Sequence, residues 1–213
     1  MEKTFTQAIA QRRATPSFDG APMSDADLKR ILEAGLRAPS GYNMQPWRFI
    51  VVRHPDQQRR LRAACFNQAK VEEASAVIVA CGDSDGWRSG DLDEMLRLGR
   101  EGGMHENYSE QSRQSILNYF YHHPNLPAWL HKQVMIALTT MMWMAEVMGY
   151  DTAPMEGFEE TKVREALKLP LSYQVVALLA IGRLSGTDKF NGGRFSMGRT
   201  VFEGEYGKPI KLG

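Results

Sequence analysis

The most constraining stretch of this chain runs from His131 to Met148. There Val134, Met135, Leu138, Met141, Met142, Ala145 and Met148 fall at helical spacing, and Ile136, Ala137, Trp143 and Met144 widen the apolar arc. A helix apolar nearly all round has to be covered nearly all round, since uncovered apolar surface forfeits the burial that drives folding. Such a helix belongs in the middle of a core or at a contact between subunits. Methionine fills irregular gaps, so the spacing reads first as a packing helix and not as a dedicated ligand surface.

The remaining periodic segments supply layers for this helix to pack on. Residues 24 to 37 read as a helix: Ser24 can cap it, Asp27 sits at the capping-box position, Leu28, Ile31, Leu32, Gly35 and Leu36 share a face, and Ala38-Pro39-Ser40-Gly41 ends it. Gln57 to Asn67 and Glu159 to Lys168 also have helical spacing. Trp47 to Arg53, Ala76 to Cys81 and Val175 to Ile181 are short runs rich in Val and Ile, the signature of buried strands. Helices and strands are interspersed, and 213 residues with 43% hydrophobic content suffice for one domain with a sizeable core.

Residues 84 to 131 have another texture. Polar residues dominate, Gly102-Gly103 and Pro124 interrupt, and yet Trp87, Tyr108, Tyr119, Phe120, Tyr121 and Trp129 are too many aromatics for a disordered linker. The expectation is a partly helical excursion that covers a site.

Twenty-six basic and twenty-five acidic residues, a net charge of +1, provide no field to attract nucleic acid or an anionic membrane. No stretch approaches a membrane span, and the N-terminus lacks the apolar core of a signal peptide, so the expected setting is cytoplasmic. Cys65 and Cys81 lie in or beside apolar runs without ligand spacing and read as buried thiols. Phosphate-loop, GxGxxG, HExxH and GxSxG motifs are absent. His122 and His123 are adjacent and so point apart; with His105 and His131 they read as surface, and no metal site is expected. The hard chemistry of such a chain falls to a bound cofactor.

Three segments resemble pieces of a binding site. Arg12-Arg13 can pair with a phosphate in forked geometry. The turn APSGYNMQPW places Ser40, Asn43 and Gln45 beside a strand start, where amides could read the polar edge of a heterocycle or could simply tie down their own loop. In Pro154-Met155-Glu156-Gly157-Phe158, Gly157 permits close approach of main chain to a planar ligand.

RRATPSFDG, APSGYNMQPWRFIVV, FNQAK, PMEGF and VVALLAIGR stand in the order and approximate spacing of the nitroreductase family, which the chain resembles over roughly residues 5 to 83 and 132 to 201. The resemblance implies an α+β fold, a central mixed, mainly antiparallel sheet surrounded by helices, in a domain-swapped homodimer with FMN at the interface. One domain would span 1–213, with 84–131 a variable excursion over the active site. Residues 195–213 would form an arm reaching the partner, Pro209 to Leu212 adding an edge strand. Arg12 and Arg13, followed by Ala14, resemble the basic pair that meets the FMN phosphate and ring edge. Pro39, Ser40, Gly41, Asn43 and Gln45 resemble the loop contributed by the partner subunit. Asn67 and Lys70 match an Asn-x-x-Lys pattern beside the isoalloxazine, where the ammonium stabilises the charge left near N1 and O2 on reduction. Pro154, Met155, Glu156 and Gly157 resemble the segment that crosses one flavin face and offers an N–H towards N5. Arg194 resembles the late phosphate-binding residue, with Arg199 the alternative.

The activity so implied is ping-pong transfer of two electrons from NADPH or NADH through FMN to a nitroaromatic, a quinone or a related small acceptor. Lys70, Glu156 and Gly157 would carry the catalytic roles. Ala14 and Pro16 stand where the family commonly has a hydroxyl and a further basic residue, and Pro16 also fixes φ. These departures motivate an alternative, an FMN-binding sensor or flavin store with little turnover.

Overall fold

The computed structural model describes residues 2–186 and 192–212. Its centre is a four-stranded sheet in the order β1-β2-β4-β3, with β1 at Trp47–Val52, β2 at Ala76–Asp83, β3 at Asp151–Met155 and β4 at Tyr173–Gly182. Every neighbouring pair is antiparallel, with Ile50 opposite Val79, Ile78 opposite Leu179 and Ala153 opposite Ala180. A parallel element enters through an isolated bridge between Ala14 and Thr152. The two central strands are the two apolar runs with most Val, Ile, Leu and Ala, and β2 is buried at every position. A strand covered on both faces has no need of polar alternation.

Alternation instead distributes β2 between two cores. Val77, Val79 and Cys81 face one, with Leu61, Val71 and Val163; Ile78 and Ala80 face the other, with Ile31, Val134, Leu138 and Met141. The first is covered by α3 (Pro55–Ala64), α4 (Lys70–Glu73) and α9 (Glu160–Leu167), after α1 (Phe5–Gln11) and α2 (Asp25–Leu36) have opened the chain. Ser24 caps α2 as expected, but the Asp27 carboxylate, instead of closing a capping box, accepts from the Tyr150 hydroxyl at 2.7 Å.

Residues 84–131 form α5 (Gly86–Ser89), α6 (Asp91–Glu101), α7 (Glu106–Tyr121) and the first turns of α8 (Leu126–Val147). The apolar helix read at 131–148 therefore begins earlier, at a Pro127-containing turn where Asn125 caps. The excursion has a core of its own: Trp87, Leu92, Met95, Leu96, Ile116 and Phe120 gather around Trp129, Leu130 and Met44. Arg48 pins it to the sheet, its Nη2 lying 2.6 Å from Asp91 and 3.3 Å from Asp83.

Along α8 the core reading holds for one side of the apolar stretch. Val134, Ala137, Leu138, Met141 and Ala145 are buried against the sheet and α2, while Met135, Met142, Trp143 and Met144 stay half-buried and Ile136 is exposed. One side is core; the other is an apolar face without cover.

The segment read as crossing a ligand face turns out to begin as a strand. Pro154 pairs with Leu179 and Met155 with Leu178. Proline is tolerated there because β3 lies at the edge of the sheet. Farther on, α10 (Met197–Thr200) precedes a small hairpin in which Phe202 bridges Pro209. No helix among the described residues is long and apolar enough to cross a membrane.

Candidate functional site

A first cluster forms where α1, α4 and β3 converge. Thr15 donates its N–H to the Thr152 carbonyl at 2.9 Å, which lays residues 13–15 along β3. Phe18 N–H donates to Glu73 at 3.2 Å, so the same segment is tied to the end of the short helix that Lys70 opens. Gln68 Nε2 donates to the Gly157 carbonyl at 2.9 Å, and Glu159 N–H to the Ala64 carbonyl at 2.8 Å. Arg12, Arg13, Ala14, Asn67, Lys70, Pro154, Met155, Glu156 and Gly157 are thus carried on three segments bonded to one another.

What these residues leave unused defines the cluster's chemistry. Among the described residues, Arg12, Arg13 and Lys70 have no carboxylate within ion-pair distance, as is also true of Arg37, Arg60, Lys132 and Lys168, whereas Arg62 pairs with Glu72 and Arg97 with Glu94. Arg12 lies over the Trp143 ring at 5.9 Å. Arg13 spends one nitrogen, Nη1, on the Ala10, Gln11 and Arg12 carbonyls, satisfying the C-terminal end of α1. Phe158 N–H turns back on the Glu156 carbonyl at 3.1 Å, closing a three-residue turn around Gly157, whose own N–H has no acceptor among the described residues. The Lys70 ammonium, the Asn67 amide and the free Gly157 N–H, with Arg12 and the part of the Arg13 guanidinium not given to α1, suit an anionic planar heterocycle.

The turn before Lys70 is strained. Phe66 and Asn67 have φ of 52° and 56°; asparagine accepts the left-handed region, but a bulky aromatic there is unfavourable and has to be held. Arg62 does so from both sides, its carbonyl accepting from Asn67 N–H at 3.1 Å and its Nε donating to the Asn67 carbonyl at 3.2 Å. Gln57 to Asn67, read as one helix, ends at Ala64 for this reason. Below it Cys65 is buried, and burial pushes its thiol up to about 11 and that of Cys81 to about 12, so neither is a nucleophile at neutral pH.

A second cluster is the loop 38–46. Gly41 to Asn43 form a single 3-10 turn, with Tyr42, Asn43 and Gln45 in the left-handed region. Ser40 Oγ accepts from Gln45 N–H at 3.0 Å and Gln45 Nε2 donates to the Asn43 carbonyl at 3.3 Å, so Ser40 and Gln45 do tie down their own loop. The Asn43 side chain is left free among the described residues, and Pro39 is exposed. Gly41 N–H donates to Gln133 Oε1 at 2.9 Å, and a Cβ at Gly41 would stand 3.2 Å from Trp129. Gln133 was not singled out from sequence; a glutamine on the buried side of an apolar helix was the available signal. The excursion joins the loop through Met44 and through Tyr42, whose ring meets Tyr119 edge-on at 5.2 Å.

The two clusters do not meet within one chain. Loop 38–46 leads into β1 and residues 156–159 leave β3, at the same end of the sheet but on opposite edges. With two strands between them, the separation is about 14 Å in the hydrogen-bonding direction. Arg194 and Arg199 belong to neither: both are exposed on the tail, Arg194 bonding the Gly193 carbonyl and Arg199 stacking on Phe195 at 4.2 Å. No group of three His, Cys, Asp or Glu side chains among the described residues is placed to hold a metal.

Comparison with known proteins places this geometry. Residues 9–183 match the Nitroreductase family. The chain is 37% identical over 177 residues to an NADH dehydrogenase of Thermus thermophilus, covering 82% of this chain and 84% of that one. It is 32% identical over 188 residues to YdgI of Bacillus subtilis, named as a proposed NAD(P)H nitroreductase, covering 84% and 88%. Among solved structures, a proposed nitroreductase from Exiguobacterium sibiricum in complex with FMN superposes with a TM-score of 0.85 at 27% identity, covering 94% of this chain and 99% of that one.

Proposed function

The chain belongs to the nitroreductase family, and from that premise we propose that it is an FMN-dependent NAD(P)H oxidoreductase whose flavin site is completed by a second copy of the chain. The observation that carries this reading is the pair of polar clusters at opposite edges of one sheet, each with unused donors.

The residues present fit FMN. Arg12 and Arg13 supply positive charge for its phosphate, with Arg194 or Arg199 joining from a tail. Asn67 and Asn43 offer amides to the polar edge of the ring. Gly157 has no side chain to stand between its main chain and a planar ligand, and its N–H is unspent. FMN bound there would supply two-electron redox chemistry between NADH or NADPH and a nitroaromatic, quinone or related small acceptor. Lys70, whose ammonium has no carboxylate partner among the described residues, would stabilise negative charge left on the ring by reduction. No side-chain nucleophile is needed, in keeping with two thiols that burial keeps protonated.

Three surfaces support a homodimer. The half-exposed apolar face of α8 adjoins the exposed Phe5 and Ile9 of α1. The outer edge of β1 borders a groove with Arg60 and Lys168. The tail exposes Phe195, Met197, Tyr206 and Leu212, and the hydrogen bonds of its residues 196–210 stay within the tail. Uncovered apolar surface in a helix face and an arm calls for a partner. In the same reading the whole chain is one cytoplasmic domain, and 84–131 shapes the acceptor space beside Tyr42.

Absorption of the purified protein under anaerobic conditions tests the proposal. Flavin bands that bleach on adding NADH or NADPH are the expected result; no flavin, even after reconstitution, overturns it. The sensor or store remains a second reading because Ala14 contributes no hydroxyl and Arg13 is partly spent on its own helix. Steady NAD(P)H oxidation with an added quinone excludes it.

A further inference from the structure

Gln68 occupies a position that the functional reading leaves without a role. It lies between Asn67 and Lys70 and is half-buried. Nε2 reaches two carbonyls on two different segments, Cys65 at 3.1 Å and Gly157 at 2.9 Å. An amide nitrogen carries two hydrogens, so this bridge uses the donor capacity of the group in full.

Each end of the bridge falls where the backbone most needs holding. Cys65 directly precedes the left-handed Phe66 and Asn67, a turn that is unfavourable unless its surroundings fix it. Gly157 is the centre of the turn closed by Phe158 and Glu156, and its N–H is the one left free. The fit is close on both sides: a Cβ on Gly157 would stand 3.2 Å from Gln68 Nε2, so a side chain at 157 would push directly on the bridging amide. A neighbouring bond, Glu159 N–H to the Ala64 carbonyl, joins the same two segments.

We propose that Gln68 is a positioning residue: by bridging the Cys65 and Gly157 carbonyls it locks the Asn67–Lys70 turn and the Gly157 turn into one unit, so that the ammonium and the free N–H keep a fixed mutual placement at the flavin. This rests on the FMN reading above. Neither group depends on Gln68 for its existence, only for where it stands relative to the other. Loss of the bridge therefore weakens the response to the charge that reduction creates more than it weakens the fold.

Gln68→Met, similar in length but without a donor or a charge, is the decisive variant, and Gln68→Glu accompanies it to reveal what an added charge does. Flavin is removed and reloaded, and three quantities are read: affinity for oxidised FMN by fluorescence titration, two-electron potential by dye equilibration, and melting temperature. For Gln68→Met the expected result is a reduced-to-oxidised affinity ratio about tenfold lower, which for two electrons is a potential about 30 mV more negative, with melting close to the parent. An unchanged potential with a lowered melting temperature makes Gln68 purely structural and overturns the proposal. A shift in Gln68→Glu alone is a charge effect and also overturns it. A parent chain that takes up no FMN overturns the proposal together with the functional reading, whereas a parent that binds and is reduced beside an unshifted Gln68→Met overturns the proposal only.

Discussion

Thr152 donates its hydroxyl to Glu146 Oε1 at 2.6 Å, in a place where neither side chain reaches solvent. The bond joins the last turn of α8 to β3. Because the Thr152 carbonyl also takes the Thr15 N–H, the segment carrying Arg12 and Arg13 hangs on the same joint. Burial pushes the Glu146 carboxyl up from its ordinary value near 4.5, against the opposing pull of the Thr152 hydrogen bond and of Lys3 Nζ at 3.9 Å.

Glu146→Ala removes the acceptor and leaves a void beside a buried hydroxyl, at an expected cost of about 3 kcal/mol by denaturant titration. The pH dependence follows from the sign of the shift. In the folded protein Glu146 holds its proton to higher pH than in the unfolded chain, so stability declines as pH rises above its ordinary value near 4.5. The amide introduced by Glu146→Gln does not titrate. The stability of the parent relative to that variant is expected to fall with rising pH; a difference that stays level or rises contradicts the assignment.

Gly35 is where α2 crosses α8: a Cβ there would lie 2.3 Å from Met141 Cε and 2.4 Å from its Cγ. Gly35→Ala gains about 1 kcal/mol of helix propensity but overpacks a fully buried methionine, a strain of about 1–3 kcal/mol. Net destabilisation is expected. In a double-mutant cycle, shortening Met141 to alanine should make Gly35→Ala neutral or favourable, and additive effects would show that the contact is not the cause.

Lys70→Met deletes the unpaired ammonium of the first cluster. The expected effect is a more negative flavin potential and slower reduction by NAD(P)H, with oxidised FMN still bound. An unmoved potential would take Lys70 out of the electrostatic role.

Arg12→Ala combined with Arg194→Ala should leave the purified protein depleted of FMN, measured as flavin per chain. Full occupancy would refute the phosphate assignment. If only the Arg199→Ala variant loses flavin, the tail's phosphate contact passes to that residue.

Deleting residues 195–213 is expected to shift the protein towards monomer in light scattering and to lower its flavin content together with it, on the proposal that each site draws on both chains. A full-length chain that already runs as a monomer contradicts the two-chain site outright.

Much of the architecture was legible one segment at a time. The three runs rich in Val and Ile became β1, β2 and β4, and Ser24 marked the start of α2, because burial and capping are decided by residues close in sequence. Asp151 to Met155 was not read as a strand: it is short and holds a proline, and it is a strand because residues 178–182 offer it an edge to pair with. In α6 the apolar face does recur at helical spacing, Leu92, Met95 and Leu96, but its destination, a small separate core around Trp129 shared with α7, is set by tertiary packing.

Side-chain chemistry and order alone point to the residue types of the proposed site: the arginine pair, the Asn-x-x-Lys spacing, the polar turn before Trp47 and the glycine after Glu156. How they are used is set by contacts between distant segments. The fold left Lys70 unpaired, gave Gly41 to Gln133 and Gly157 to Gln68, and put the two clusters on opposite edges of the sheet. Hydrogen-bond partners far apart in the chain are chosen by the order of strands and the packing of helices, and that order is a property of the whole fold and of no single segment.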